Sequence, residues 1–588
     1  MATPEQLITE NLEIWTNAIK SKAATGRGRG KGKNGKHELY GVKKLRELIL
    51  ELAVRGLLVP QDPSDEPASE LLKKIAAEKA KLTKEKKIKK QKPLPPISDD
   101  EKPFELPDGW EWIRLGDIGF TQTGGTPKKA DTHHYGNFMP FIKPGDIQDG
   151  SITSYENDGL SQEGAECLDR IAPSDSVLMV CIGTIGKCAR IDRHASFNQQ
   201  INSVSPYVQI GKYVEKVLQT SYFQKSTWEL SSSTTIAILN KGKWEKIPFA
   251  LAPETEQHKI VTKVDELMAL CDQLEQQTET SLTAHQTLVE TVLAALTRTS
   301  GESDINAEAI FFQHFDTLFT TEHSIDQLKQ TILQLAVMGK LVPQDPNDEP
   351  ASELLKKIAS EKAKLIKEKK IKKQKPLPPI SDEEKPFQLP DGWSYTRLDE
   401  LCGWITSGST PPKSEFVEQN GIPYLKVYNI REQSIDFVYK SQFIKTDCHE
   451  GKLKRSILYP GDVVMNIVGP PLGKVAIIPD TYPEWNCNQA IAFFRPIEQE
   501  LSPYIYTYLT AGIFLRYIEL IGTAGQDNIS VTKSRTIVFP MPPLKEQHRI
   551  VAKVDELMAL CDQLKQGLNN AKTTQLHLAD TIVEQAVA

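Results

Sequence analysis

Apolar residues return every three or four positions in two long stretches of the chain. Ile260, Val264, Leu267, Cys271 and Leu274 step by four and three, and the same seam recurs as Ile550, Val554, Leu557, Cys561 and Leu564. Such spacing marks a helix whose one face packs on another helix. A shorter seam, Ile325, Leu328, Ile332 and Leu335, is echoed by Val42, Leu45, Ile49 and Leu52. The spacing predicts a first long helix over 258–296, roughly 58 Å at about 1.5 Å per residue. Helix 325–339 is expected to pack antiparallel on it after the linker "TRTSGESDINAEAI", and the C-terminal helix to return to 42–56 by the same logic. Head and tail would then close a pseudo-twofold, circular arrangement; the plainer alternative is that each seam packs on the domain beside it.

Between these seams the pattern changes. Short β-branched runs bounded by Gly and Pro, such as "DSVLMVCIG" and "DVVMNIVG", predict buried strands, while "YIYTYLTAGIFLRYIEL" at 504–520 predicts one helix. The fold class read from this is mixed α/β, with two similar domains and long helical spacers.

The helical parts are nearly identical in two copies, and the strand-bearing interiors are not. Residues 58–110 align with 341–393 and differ only at 64, 77, 83, 100 and 105, and 256–276 returns as 546–566 with three substitutions. The interiors, roughly 105–253 and 386–543, keep scattered landmarks: "TGGTPKK" faces "SGSTPPK", "MPFIKPGDI" faces "IPYLKVYNI", "IGTIGK" faces "VGPPLGK" and "FNQQI" faces "CNQAI". Periods this long belong to one large unit used twice rather than to a solenoid. One fold bearing two different surfaces follows.

Composition narrows the class. The chain has 588 residues, a formal net charge of −6 and 39% hydrophobic residues, so several cores and a soluble protein are expected, with no apolar run long enough for a membrane span. The N-terminus lacks the order of a signal peptide, and the cytoplasm is the expected compartment. Eight cysteines form no zinc-spaced cluster, so reduced thiols and no metal are expected. His133 and His134 are adjacent but stand in no ligand frame, and read as a surface loop. Net acidity means that any contact with nucleic acid is local. Residues 22–36 read as a disordered glycine-rich cationic linker or a minor-groove arm. Residues 71–92 hold ten lysines and are expected to be helical until Pro93; a solvated face is the plain reading, and contact with DNA phosphate or an acidic partner the other.

Catalytic signatures are missing. "GPPLGKV" lacks the spacing of a phosphate loop, no Asn/Asp-Pro-Pro-aromatic tetrapeptide is present, and no GxSxG elbow occurs. No catalytic residue is assigned.

Two diverged domains that open with "LPDGWEWIRLGDI" and "LPDGWSYTRLDEL", carry "GGTP" and "GSTP", and lead into "EQHKIV" and "EQHRIV" resemble the specificity subunit of Type I restriction-modification systems, with the long leading segment similar to the IB-like subfamily. The resemblance implies a non-catalytic DNA-recognition subunit. Residues 1–104 would be an N-terminal conserved region with basic linker and helix, 105–253 and 386–543 two target recognition domains, 254–385 a central conserved helical region and 544–588 a C-terminal helix. Two antiparallel long-helix, coiled-coil pairs would join the domains. Each domain would read one half of a split, asymmetric DNA target. Two methyltransferase subunits would dock on the helices, with two restriction/translocase subunits in the full complex. S-adenosylmethionine, ATP and magnesium would bind those partners, and this chain none of them. A protein-binding scaffold with two ligand domains on a coiled-coil spacer is the competing reading.

Candidate DNA-contacting residues in the first interior are Thr123, Thr126, Lys128, Lys129, Lys143, Asn198, Gln199, Gln200, Asn240, Lys241 and Lys243. In the second they are Ser409, Thr410, Lys413, Lys426, Asn429, Asn488, Gln489, Gln526, Asn528, Lys533 and Arg535. Asn and Gln pair with adenine, Lys with guanine or phosphate, and glycines beside them admit close approach of the backbone to phosphate. The shared pairs Asn198-Gln199 and Asn488-Gln489 have a structural reading too, because domains that read different bases do not need common readers. Gly125 and Gly408 read as turn residues.

Overall fold

The computed structural model describes all residues except 1–3, 22–36, 129, 149, 233–235, 299–302, 523–526 and 588. The cationic stretch 22–36 therefore lies outside the described residues. The chain divides into two units, residues 1–281 with 571–588, and residues 282–570. No helix among the described residues is long and apolar enough to cross a membrane.

Each unit repeats one plan. In the first, a four-stranded antiparallel sheet runs in the order Cys188–Arg190, Val177–Val180, Ile201–Pro206, Gly119–Thr123. In the second, the order Val475–Ile477, Val463–Asn466, Ile491–Pro496, Cys402–Ser407 repeats it. The strands read from "DSVLMVCIG" and "DVVMNIVG" are central and buried at every position, which is why they carry unbroken apolar runs rather than alternation. A second four-stranded sheet in each unit contains one parallel pairing, Phe197 with Ile142 and Leu425 with Cys487. A two-stranded ribbon closes each interior: Glu111–Arg114 pairs with Pro248–Leu251, and Ser394–Arg397 with Val538–Met541.

The long helices are Glu254–Leu296 and Leu544–Val587. In the first unit, Ile260, Val264, Leu267 and Cys271 join Val42, Leu45, Ile49 and Leu52 of helix Tyr40–Val54 in one core, with Leu576 and Ala579 added from the end of the second long helix. The second unit gathers Ile550, Val554 and Cys561 with Ile325, Leu328 and Ile332 of helix Glu322–Val337, and with Val289, Val292 and Leu293. Leu274 and Leu557 are partly buried, whereas Leu564 is 41% exposed and lies off the seam.

The expected pairings form, the C-terminal helix reaching helix Tyr40–Val54 where Tyr40 donates to Asp580 and Arg55 to Val587 O, but the direction on the first long helix differs. Lys329 pairs with Asp562 and Lys565 with Asp326 at 2.9 Å, so helix Glu322–Val337 runs antiparallel to the second long helix. Against the first it runs parallel, with Gln286 beside His323 at 3.4 Å and Gln327 donating to Glu290 at 3.1 Å. Two further helices, Ser303–Gln313 and Phe315–Leu318, occupy the connection and bring the chain back in its original direction. The stretch 504–520 is also not one helix, because Ser502–Ala511 ends at Gly512, whose φ of +69° reverses the chain.

The basic segments depart most from expectation. Their helices are Ala68–Lys84 and Ala351–Lys367, ending well before Pro93 and Pro376. Lys86 and Lys369 both adopt φ of +58°. The next amides, of Lys87 and Lys370, turn back to donate to Leu82 O and Leu365 O at 3.0 and 2.9 Å, which caps the helix with no glycine present.

Candidate nucleic-acid interface

The landmarks scattered along each interior meet at one edge. In the first unit, Gly124 and Gly125 donate their amides to Ile201 O and Phe197 O, each at 3.0 Å, tying "TGGTP" to "FNQQI". The Asn198 amide donates to Ile142 O at 2.9 Å, which brings in the turn after "MPFI". Cys181 donates to Gln200 O at 2.8 Å and Leu239 to Cys181 O at 2.9 Å, adding "IGTIGK" and the segment before Asn240. The second unit repeats the chain of loops through Gly408 to Ile491 O, Ser409 to Cys487 O, Asn488 to Leu425 O, Ile467 to Ala490 O and Ile529 to Ile467 O, all at 2.9–3.1 Å.

This geometry reassigns the glycines. A Cβ on Gly124 would stand 2.2 Å from Phe197 O, and on Gly408 2.0 Å from Cys487 O. The space each glycine leaves is filled by the neighbouring loop, so these positions serve loop-on-loop contact and not an approach to phosphate. Gly124, not Gly125, is the counterpart of Gly408.

The side chains separate into those that build the edge and those that face out from it. Thr126 donates to Gln199 and Thr410 to Gln489, so the shared glutamines cross-link two loops in both halves. Asn198 also donates to Thr126, at 3.1 Å. Thr123 bonds Asn202 at 2.8 Å, and Asn240 caps a helical turn by accepting from the Lys243 amide at 2.9 Å. Asn429 is 1% exposed and donates to Asp436 O and Tyr439 O; its amide is committed inside the loop, out of reach of a base edge. Asn528 accepts from the Gly469 amide at 3.3 Å. Gln200 and Asn488 are half-buried.

Several cations are held by acids. Lys143 meets Asp158 at 2.5 Å, Lys241 meets Glu245 at 2.5 Å, Lys533 meets Glu519, and Arg535 meets Asp399 at 2.7 Å. Lys243 donates to Leu230 O at 2.9 Å, and Lys426 lies 5.4 Å from the centre of the Phe416 ring. Ser409 accepts from Arg455 at 2.9 Å. Lys128 and Lys413 are exposed, with no side-chain partner among the described residues. Lys129 and Gln526 lie outside the described residues.

Sequence reading missed one cluster altogether. Arg431 stacks 4.3 Å from the Tyr439 ring centre, Lys440 stands 5.1 Å from the same ring, and Val438 between them is 92% exposed. Aromatic and basic residues interleave in "NIREQSIDFVYK", a signal suited to stacking against bases. His133 and His134 do gain a neighbour, Glu163, 3.7 Å from His133. The three donors lie within 4.8 Å of one another at the surface.

Behind the edge, an identical latch holds each interior to its frame. Arg114 donates to Pro95 O and Pro96 O at 3.0 and 2.8 Å, to Lys246 O, and to both oxygens of Glu101 at 2.9 and 2.7 Å. Arg397 does the same with Pro378 O, Pro379 O, Thr536 O and Glu384. The Arg114 guanidinium holds the Glu101 carboxyl down at about 2. Trp110 donates to Glu256 at 2.9 Å and Trp393 to Glu546 at 3.0 Å, and burial raises both carboxyls above their ordinary value. These bonds give the repeated Trp of "LPDGW" and the repeated Glu of "EQH" the same partner in both halves.

Most lysines of the two basic helices are neutralised. Lys73, Lys74, Lys79 and Lys81 pair with Glu70, Glu66, Asp117 and Glu78 at 2.6–3.1 Å. Their copies Lys356, Lys357, Lys362 and Lys364 are matched likewise.

Comparison with known proteins finds one family model and full-length relatives. The family described as Type I restriction modification DNA specificity domain matches residues 107–284 and 390–572. The EcoAI specificity subunit of Escherichia coli, from a Type I restriction enzyme, is 42% identical over 605 aligned positions, covering 99% of each chain. The EcoEI specificity subunit of the same species is 40% identical over 610, again covering 99% of each. Among solved structures, the HsdS subunit from Thermoanaerobacter tengcongensis is 18% identical, with a TM-score of 0.40 over 83% of this chain and 98% of that one.

Proposed function

The chain belongs to the Type I restriction modification DNA specificity family, and from that membership we propose how its two edges divide the work. It is a DNA sequence-recognition subunit. Each edge reads one half of a split target. The observation that carries this is the sorting of side chains. Residues common to both halves, such as the Thr-Gln cross-links, hold the loops together, while the residues that differ, such as the Arg431–Tyr439–Lys440 cluster, face solvent. Because the outward residues differ, the two half-sites differ, unlike the palindrome read by a symmetric dimer.

The long helices set the gap between half-sites and carry the surfaces on which two methyltransferase subunits dock, with two restriction/translocase subunits completing the assembly. S-adenosylmethionine, ATP and magnesium belong to those partners, and the cytoplasm is the working compartment. Methylation of an adenine requires the partner to draw the base from the stack, so this chain's part is to fix where on the duplex the partner stands. Single-molecule methylation sequencing of the host, with and without the gene, tests the proposal. Loss of N6-methyladenine at one split, asymmetric motif is expected; loss at an unsplit or palindromic motif overturns the two-edge reading.

A further inference from the structure

The structure separates the lysines of each basic segment into two groups. Those on the helix face before its last residue are paired with acids. Lys84, Lys86, Lys89, Lys90 and Lys92 are exposed and have no acidic partner among the described residues, and the same holds for Lys367, Lys369, Lys372, Lys373 and Lys375. Only Lys87 and Lys370 in these runs are matched, by Glu85 and Glu368 at 2.9 Å.

The backbone that carries them is fixed at both ends. On one side the left-handed Lys86 folds the chain back onto Leu82; on the other Arg114 grips Pro95 and Pro96 by their carbonyls. Ile88 between them packs on the core. A tethered run of unmatched ammonium groups has like charges crowded together, and an external anion relieves that repulsion.

The kind of anion follows from the pattern. Residues 86–99 and 369–382 are identical in sequence, although the reading edges of the two halves differ. A surface that does not vary with the half-site contacts what both half-sites share, the sugar–phosphate backbone and not the base edges. Lysine suits that task as a compact point charge. It is depleted at protein–protein interfaces, and the five cations stand in a run whose only large apolar side chain, Ile88, is turned inward. On the reading that the chain recognises DNA, we propose that residues 84–92 and 367–375 are phosphate clamps, one per half, that hold duplex DNA whatever its sequence.

The test uses the full chain assembled with its methyltransferase and two fluorescent duplexes, one carrying the motif found by methylation sequencing and one lacking it. The variant K84Q/K86Q/K89Q/K90Q/K92Q should bind both duplexes more weakly by the same factor, roughly tenfold or more. The slope of log K against log salt should flatten by about 0.9 for each phosphate that the variant no longer neutralises. The all-arginine version of the same five positions should restore both, and the methylated motif should keep its sequence. An unchanged salt slope overturns the clamp. So does a weakening confined to the motif duplex, and so does failure to assemble with the methyltransferase at an intact slope, which assigns the lysines to an acidic protein face. If the parent reading is at fault, the unsubstituted chain itself shows no preference between the two duplexes, which separates that failure from a failure of the clamp.

Discussion

Arg114 and Arg397 do not stand out in the sequence, because nothing in the letters distinguishes an arginine that will bond three carbonyls and a carboxylate from one in solvent. Replacing Arg114 by Ala removes the donor to three part-buried carbonyls and to Glu101 and should cost about 1–3 kcal/mol, read as a lower urea midpoint of the full chain. Their acid partners give a pH signature. Glu101 has a folded value near 2, below the ordinary carboxylate range, so its contribution to stability is complete above that range and is lost as pH falls through about 2. Glu256 has the opposite sign. Its value is raised by burial, so its cost develops as pH rises through the ordinary carboxylate range and is complete above the raised value. Glu256→Gln keeps an acceptor for Trp110, and should match the parent chain at low pH and exceed it at neutral pH. Gly124→Ala, forced against Phe197 O, should abolish methylation at the motif, whereas Gly145→Ala meets nothing within 4 Å and should be silent. The candidate readers were chosen by type and segment, and their commitments were not legible: Asn429 and Thr123 are polar loop residues in sequence and bonded scaffold in space.

Among elements, period was the reliable signal. Both a/d seams became core except at Leu564, and both runs of β-branched residues became central strands, because burial on two faces is written directly in the letters. Direction was not legible, since it depends on how the connection 297–321 folds. Helix ends were also poorly marked: Gly512 stops one helix that hydropathy alone would continue, and a lysine occupies the left-handed position where glycine is the usual sign. The continuity of the first long helix carries its own prediction. Inserting a helical turn of four residues after Gln276 adds about 6 Å of axis, so the preferred gap between half-sites should widen by roughly two base pairs while both half-sites stay the same. Methylation of a duplex series with graded spacers measures it, and a fixed gap would show that the helices are not the ruler.

For the whole molecule, duplication was the most legible fact, and it carried the likeness of the two interiors and the family. Exchanging residues 105–253 for the first interior of another family member should change one half of the methylated motif and leave the other as it was; a change in both halves sinks modular recognition. Which bases are read was not legible, because the loops meet through backbone bonds that no spacing rule announces. Residues 571–588 complete the core of the first unit, with Leu576 and Ala579 among its apolar side chains. That assignment has a consequence for the chain during synthesis. The unit whose residues leave the ribosome first is the last to be finished, waiting roughly 15 to 60 s for the ribosome to add the intervening residues at about 5–20 per second. A stop codon at position 571 would therefore damage the reader formed by residues far earlier in the chain, by removing Leu576 and Ala579 from its core.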